Sequence, residues 1–186
     1  MAEAKTGEAF ITHELDEAIA IQRAIVQAEE ELGDRHPRQE AQRLIRSALK
    51  EDQRFLKDLQ RLGQQHGATG KAEEVAGALQ TLMTETSQKA GEAESEAYEA
   101  HAVLVNLKRK QQDSSAAMLK LAREMKDTEM RRAATEFAKA TKASAQELAD
   151  DLAAFAVVIA TGNEPSTRRS SRNGGSARSS RAGSRA

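Results

Sequence analysis

The residues of this chain best suited to chemistry are a few polar side chains set among alanine and leucine. Gln22 falls between Ile19 and Val26, and Asp52 between Ala48 and Phe55. Glu94 and His101 alternate with Ala97 and Leu104, and Glu129 lies between Met125 and Ala133. At 100° per residue, each of these sits on the apolar stripe of a helix. An inward carboxylate, amide or imidazole is costly unless it meets a partner, so these groups are expected to bond to one another, to water or to an ion. Two chemistries fit. One is a structural polar layer. The other is a metal site built from Asp52, Glu94, His101 and Glu129, since carboxylates and imidazole suit iron or manganese.

Other chemistries find little support. Cysteine is absent, which excludes disulfides, thiolate nucleophiles and cysteine metal sites. No phosphate-cradling glycine loop or nucleophile elbow can be picked out. His13 with Glu17 and His36 with Glu40 stand at i,i+4, but two ligands do not make a site. His13, His36 and His66 lie near expected helix ends or loops and are read as surface residues. The balance is against an enzyme, with no catalytic or cofactor-binding residue assigned.

Four helices must position the inward groups. Of 186 residues only four are Phe and one is Tyr, too few aromatics for a sheet core, and no period-2 run marks a strand. Helical signals run from about residue 8 to 160. Gly33–Pro37 separates the first two helices, and the glycines of 63–70 form a second break. Residues 72–84 suit a short helix or a crossover segment, followed by a third helix over about 86–111. Asp113-Ser114-Ser115 offers an N-cap for a fourth. That fourth stretch is long, so a bend or break is expected near 126–128 or 141–144. The fold class is an all-α, up-down four-helix bundle over residues 1–160.

Charge is distributed unevenly. The formal net charge is −1, yet residues 161–186 hold six arginines and one glutamate. That tail, rich in Arg, Ser and Gly, cannot bury enough surface to order itself and is expected to be disordered. Arg168, Arg169, Arg172, Arg178, Arg181 and Arg185 suit non-specific phosphate contacts with nucleic acid, or simply keep the terminus soluble. No apolar run approaches transmembrane length, and a cytoplasmic protein is the expectation.

In layout the chain resembles the ferritin-like superfamily, and within it the YciF-like stress proteins, over roughly residues 12–140. The segment Lys50-Glu51-Asp52-Gln53-Arg54-Phe55-Leu56-Lys57-Asp58-Leu59-Gln60-Arg61-Leu62-Gly63 looks like that family's second helix. Ala93-Glu94-Ser95-Glu96-Ala97-Tyr98-Glu99-Ala100-His101 looks like the start of its third. Ferritin-like di-iron sites take one Glu from each of two helices and a Glu-x-x-His from each of the others. By position these become Gln22, Asp52-x-x-Phe55, Glu94 and Glu129-x-x-Arg132, so both histidine ligands are missing. The resemblance therefore implies the fold and a degenerate metal centre, with Arg132, Gln22 and His101 satisfying the inward acids. It implies a stress-associated binding or assembly protein, a homo-oligomer of two or more copies, with no cofactor required. Two alternatives remain. One is an oxidoreductase or iron-storage protein that uses the inward carboxylates to bind iron or manganese. The other is an amphipathic surface-binding protein similar to phasins.

Overall fold

The computed structural model describes residues 7–70, 72 and 93–162, and every regular element among them is an α-helix. They are α1 (Glu8–Arg35), α2 (Gln39–Gln65), α3 (Glu94–Glu124) and α4 (Thr128–Thr161). The crossover expected at 72–84 lies outside the described residues apart from Ala72, as does the tail beyond Gly162 with its six arginines.

The helices form a square in which α1 packs on α2 and α3, and α4 on α2 and α3. Contacts at the two ends give their directions. At one end the Thr12 hydroxyl donates to the His66 carbonyl, and His66 meets Asp127. At the other end, Arg38 bonds Asp151 and His36 packs on His101. Hence α1 and α4 run one way, and α2 and α3 the other. The chain leaves α2 at one end of the bundle and re-enters α3 at the opposite end, so the parallel pair α2 and α3 lie on the diagonal.

Local chemistry explains the boundaries. The His36 amide closes α1 on Leu32, and Pro37 then prevents its continuation. The loop after α2 is tied to α1: Asp16 accepts from the Thr69 and Gly70 amides, and Arg23 donates to the Gly70 carbonyl. Gly63, expected to open this loop, instead lies inside α2. A Cβ there would stand 2.7 Å from Ile19 Cδ1, so glycine permits the close approach of α1.

The third connection corrects the sequence reading. No helix starts at Asp113–Ser115; α3 runs straight through, with the Ser115 hydroxyl bonded back to the Gln112 carbonyl. The interruption falls instead at Met125–Asp127, at the first of the two places where a bend or break is expected. Lys126 adopts φ 56°, the left-handed conformation that ends helices, and Asp127 accepts from the Met130 amide as N-cap of α4. Met118, Leu121 and Ala122 therefore belong to α3.

Two apolar clusters fill the bundle. One joins Ile25, Leu32, Ile45, Leu104, Leu148 and Phe155, and the other joins Leu15, Phe55, Leu62, Met118, Met130 and Phe137. Polar side chains separate them.

Candidate functional site

The separating layer is built from three helices. Gln22 and Glu29 come from α1, Asp52 from α2, and Lys108 and Gln111 from α3; all five are buried. Each lies on its helix's inward stripe: Glu29 seven residues after Gln22, Lys108 four after Leu104, and Gln111 three further on. On α4 the buried Thr141 falls between Phe137 of one cluster and Leu148 of the other.

The hydrogen bonds form a chain. Gln111 Nε2 donates to the Ala18 carbonyl at 3.2 Å and to Gln22 Oε1 at 2.7 Å. Gln22 Nε2 donates in turn to Asp52 Oδ1 at 2.7 Å and to the Asp52 carbonyl at 3.1 Å. The Lys108 ammonium closes the layer, pairing with Asp52 Oδ2 and lying 2.7 Å from Glu29 Oε1.

Two carboxylates and one ammonium leave one negative charge too many for a dry core. Burial holds the Glu29 carboxyl well above its ordinary range, against the pull of Lys108 and with a further push from Asp52. Burial also disfavours the charged Lys108, but the two carboxyl groups outweigh it and keep the amine protonated. Burial therefore favours the protonated form of Glu29, while Gln22 and Lys108 both donate to Asp52.

A second polar cluster sits where α1 turns into α2. His36 and His101, both fully buried, meet edge to face with centroids 5.3 Å apart, and His36 packs 5.1 Å from the Phe155 ring. Arg38 reaches across to Asp151 at 3.0 Å and lies over Phe155. His101 Nδ1 is 4.0 Å from Asp151 Oδ2. Burial lowers His36 to about 3, helped by the positive charges of His101 and Arg38. His101 falls to about 4, again chiefly by burial and then by Arg38, against a hydrogen bond from the ring to the Leu148 backbone that favours the charged form. Both rings are neutral at physiological pH.

These positions correct the expected metal set. Asp52 and Gln22 are inside and bonded to each other, as their stripes implied. Glu94 is exposed, because it is the first residue of α3 and stands at the bundle's end. Glu129 lies in the first turn of α4 at the opposite end, where it pairs with Arg61 and Gln65. Arg132 is exposed, so Lys108 takes the neutralising role assigned to it. His101 is buried, but beside His36 and Asp151, away from Asp52. His36 was read as a surface residue and is fully buried, so its pairing with Glu40 does not arise. The His13–Glu17 pair does form, at 3.5 Å, and His66 faces Glu8 and Asp127.

Among the described residues no three His, Asp or Glu side chains are grouped so as to hold a metal ion. At the layer itself the donor set does not fit one either. The two carboxyl groups converge on an ammonium, and a divalent cation there would face its positive charge. The displaced role of Arg132 has a direct check. Arg132→Met should change the unfolding free energy in urea by no more than about 0.5 kcal/mol, as an exposed substitution does.

No protein-family model matches this chain, and neither a curated protein nor a solved structure matches it.

Proposed function

We propose that this chain is a ferritin-like bundle whose metal centre has been replaced by an internal ion pair, and that it acts as a binding or assembly protein and not as a ferroxidase. The observation carrying this reading is Lys108. Its ammonium stands where carboxyl groups from α1 and α2 converge, at the depth where the resemblance to ferritin-like proteins sets Gln22 and Asp52 in place of ligands. The connection from α2 to the far end of the bundle, with α2 and α3 parallel on the diagonal, supports the same likeness. A fixed internal cation needs no loading and cannot change oxidation state, so the core serves shape and stability. Function then falls to the outer surface and to the basic segment after Gly162. A role in the stress response, a cytoplasmic location and assembly into a homo-oligomer belong to this proposal, as does phosphate binding by the tail arginines.

The phasin-like alternative draws less support. It needs amphipathic stripes available to a surface, whereas Leu15, Ile25, Ile45, Leu104, Leu148 and Phe155 are spent inside the bundle.

Elemental analysis of protein purified without a histidine tag tests the proposal. Iron, manganese and zinc should all fall well below one per chain, and a chelator should leave the melting temperature unchanged. Near-stoichiometric metal, with a chelator-sensitive melting temperature, would overturn it.

A further inference from the structure

At the far end of α4 the apolar side chains are not confined to one face. From Leu152 to Ala160 the sequence is Leu-Ala-Ala-Phe-Ala-Val-Val-Ile-Ala, nine apolar residues without a polar one. Nine steps of 100° carry apolar side chains round every face of the helix, and a helix apolar all round is normally covered all round. Here the bundle fully buries only Phe155. Val157 is 45% exposed and Ile159 39%, and both Ala153 and Ala160 are open to solvent. Helix α4 then ends at Gly162, and the 26 residues from Thr161 to the C-terminus carry six arginines against a single glutamate.

We propose that this end of α4, together with the arginines that follow it, docks on an anionic lipid surface. Each half of the feature suits one layer of such a surface. Val157, Ile159 and the alanines beside them can enter the acyl boundary, while the arginines meet phosphate headgroups. Shallow apolar insertion next to basic residues is the usual composition of a peripheral membrane contact. The span is far too short to cross a bilayer, and no described helix is long and apolar enough to do so. Charge argues against the obvious competitor, a second copy of the chain joined at the same end. That arrangement would bring two strongly basic segments together. A nucleic acid would use the arginines but leave the apolar turns uncovered. The inference stands apart from the metal-free reading of the core.

The test is flotation of the full chain with vesicles of phosphatidylcholine alone and of phosphatidylcholine mixed with phosphatidylserine. Binding to the mixed vesicles only is expected, weakening as salt rises. The double variant Val157→Asn/Ile159→Asn changes two exposed side chains and adds no charge, and circular dichroism should show it as helical as the parent. It should bind the mixed vesicles about tenfold more weakly, and a chain ending at Gly162 should lose binding as well. Failure to float, or floating unaffected by the double variant, would overturn the proposal. So would a dimer in sedimentation that the double variant dissolves, which would assign the patch to a second copy. Tail-dependent binding of duplex DNA with no vesicle binding would assign the arginines to nucleic acid.

Discussion

Replacing Lys108 by methionine should lower the unfolding free energy by about 3–5 kcal/mol, the range found when one partner of a buried ion pair is removed. Methionine fills much of the lysine stem's volume, so the loss would be electrostatic and not a cavity effect. What remains is the Asp52 carboxyl, bonded only to Gln22 and beside Glu29 in the buried layer, with no cation against it. The reciprocal experiment separates charge from shape. Glu29→Gln, which keeps the size and puts an uncharged amide where burial already disfavours the charged carboxylate, should be nearly neutral. Lys108→Met combined with Asp52→Leu and Glu29→Met should recover much of the loss, because an apolar layer of similar volume needs no compensation. Urea unfolding of the four proteins would decide. A Lys108→Met protein as stable as its parent would show that the ammonium is not what neutralises Asp52.

Acid should unfold the bundle from its other polar cluster. His36 and His101 are held at about 3 and about 4, below the ordinary 6.5 of an imidazole. The unfolded chain therefore binds protons that the native state refuses, and stability falls as pH drops below about 6.5. At pH 5 each ring should have cost about 2 kcal/mol relative to pH 8, or about 4 kcal/mol together. Glu29 acts in the opposite sense. Its carboxyl is raised in the fold, so its contribution is present at low pH and fades as pH rises. The informative quantity is thus the difference between the parent and His36→Gln/His101→Gln, whose side chains take no proton. Stability against pH, measured by urea unfolding, should be steeper for the parent between pH 7 and 5. Parallel curves would mean that the two rings are not buried as neutral groups.

Much of this architecture was legible beforehand, and the misreadings have particular causes. Apolar stripes at helical spacing identified four helices and placed Gln22 and Asp52 inside. Glu29 and Lys108 obey the same spacing, yet a long charged side chain reads as solvent-facing when its partner lies on another helix. Neither residue signals burial until the three helices are brought together. The positions of Glu129 and Arg132 follow from one boundary. Asp113-Ser114-Ser115 has the composition of an N-cap, but those side chains can also bond back within a helix, as Ser115 does. A fourth helix begun at Asp113 sets Glu129 and Arg132 at mid-bundle, whereas they belong to its first turns. Glu94 was misjudged because the third helix was begun too early, near residue 86. His36 follows a helix end and precedes a proline, which suggests a surface turn. It is buried because that turn tucks beneath Phe155 of a helix more than a hundred residues later.

The diagonal placement of α2 and α3 gives the ion pair a meaning for assembly of the fold. Consecutive antiparallel neighbours make two hairpins, α1 with α2 and α3 with α4, and both carboxyl groups of the layer lie in the first while the ammonium lies in the second. Neither hairpin can neutralise its own buried charge. Alanine-rich helices present shallow ridges, and apolar contacts alone would let one hairpin slide along the other with little penalty. A slip of one helical turn, about 5.4 Å, would drive Lys108 into an apolar cluster and strand Asp52 without a cation. The layer therefore acts as a registration key: only one sliding position of the two halves leaves no charge unpaired.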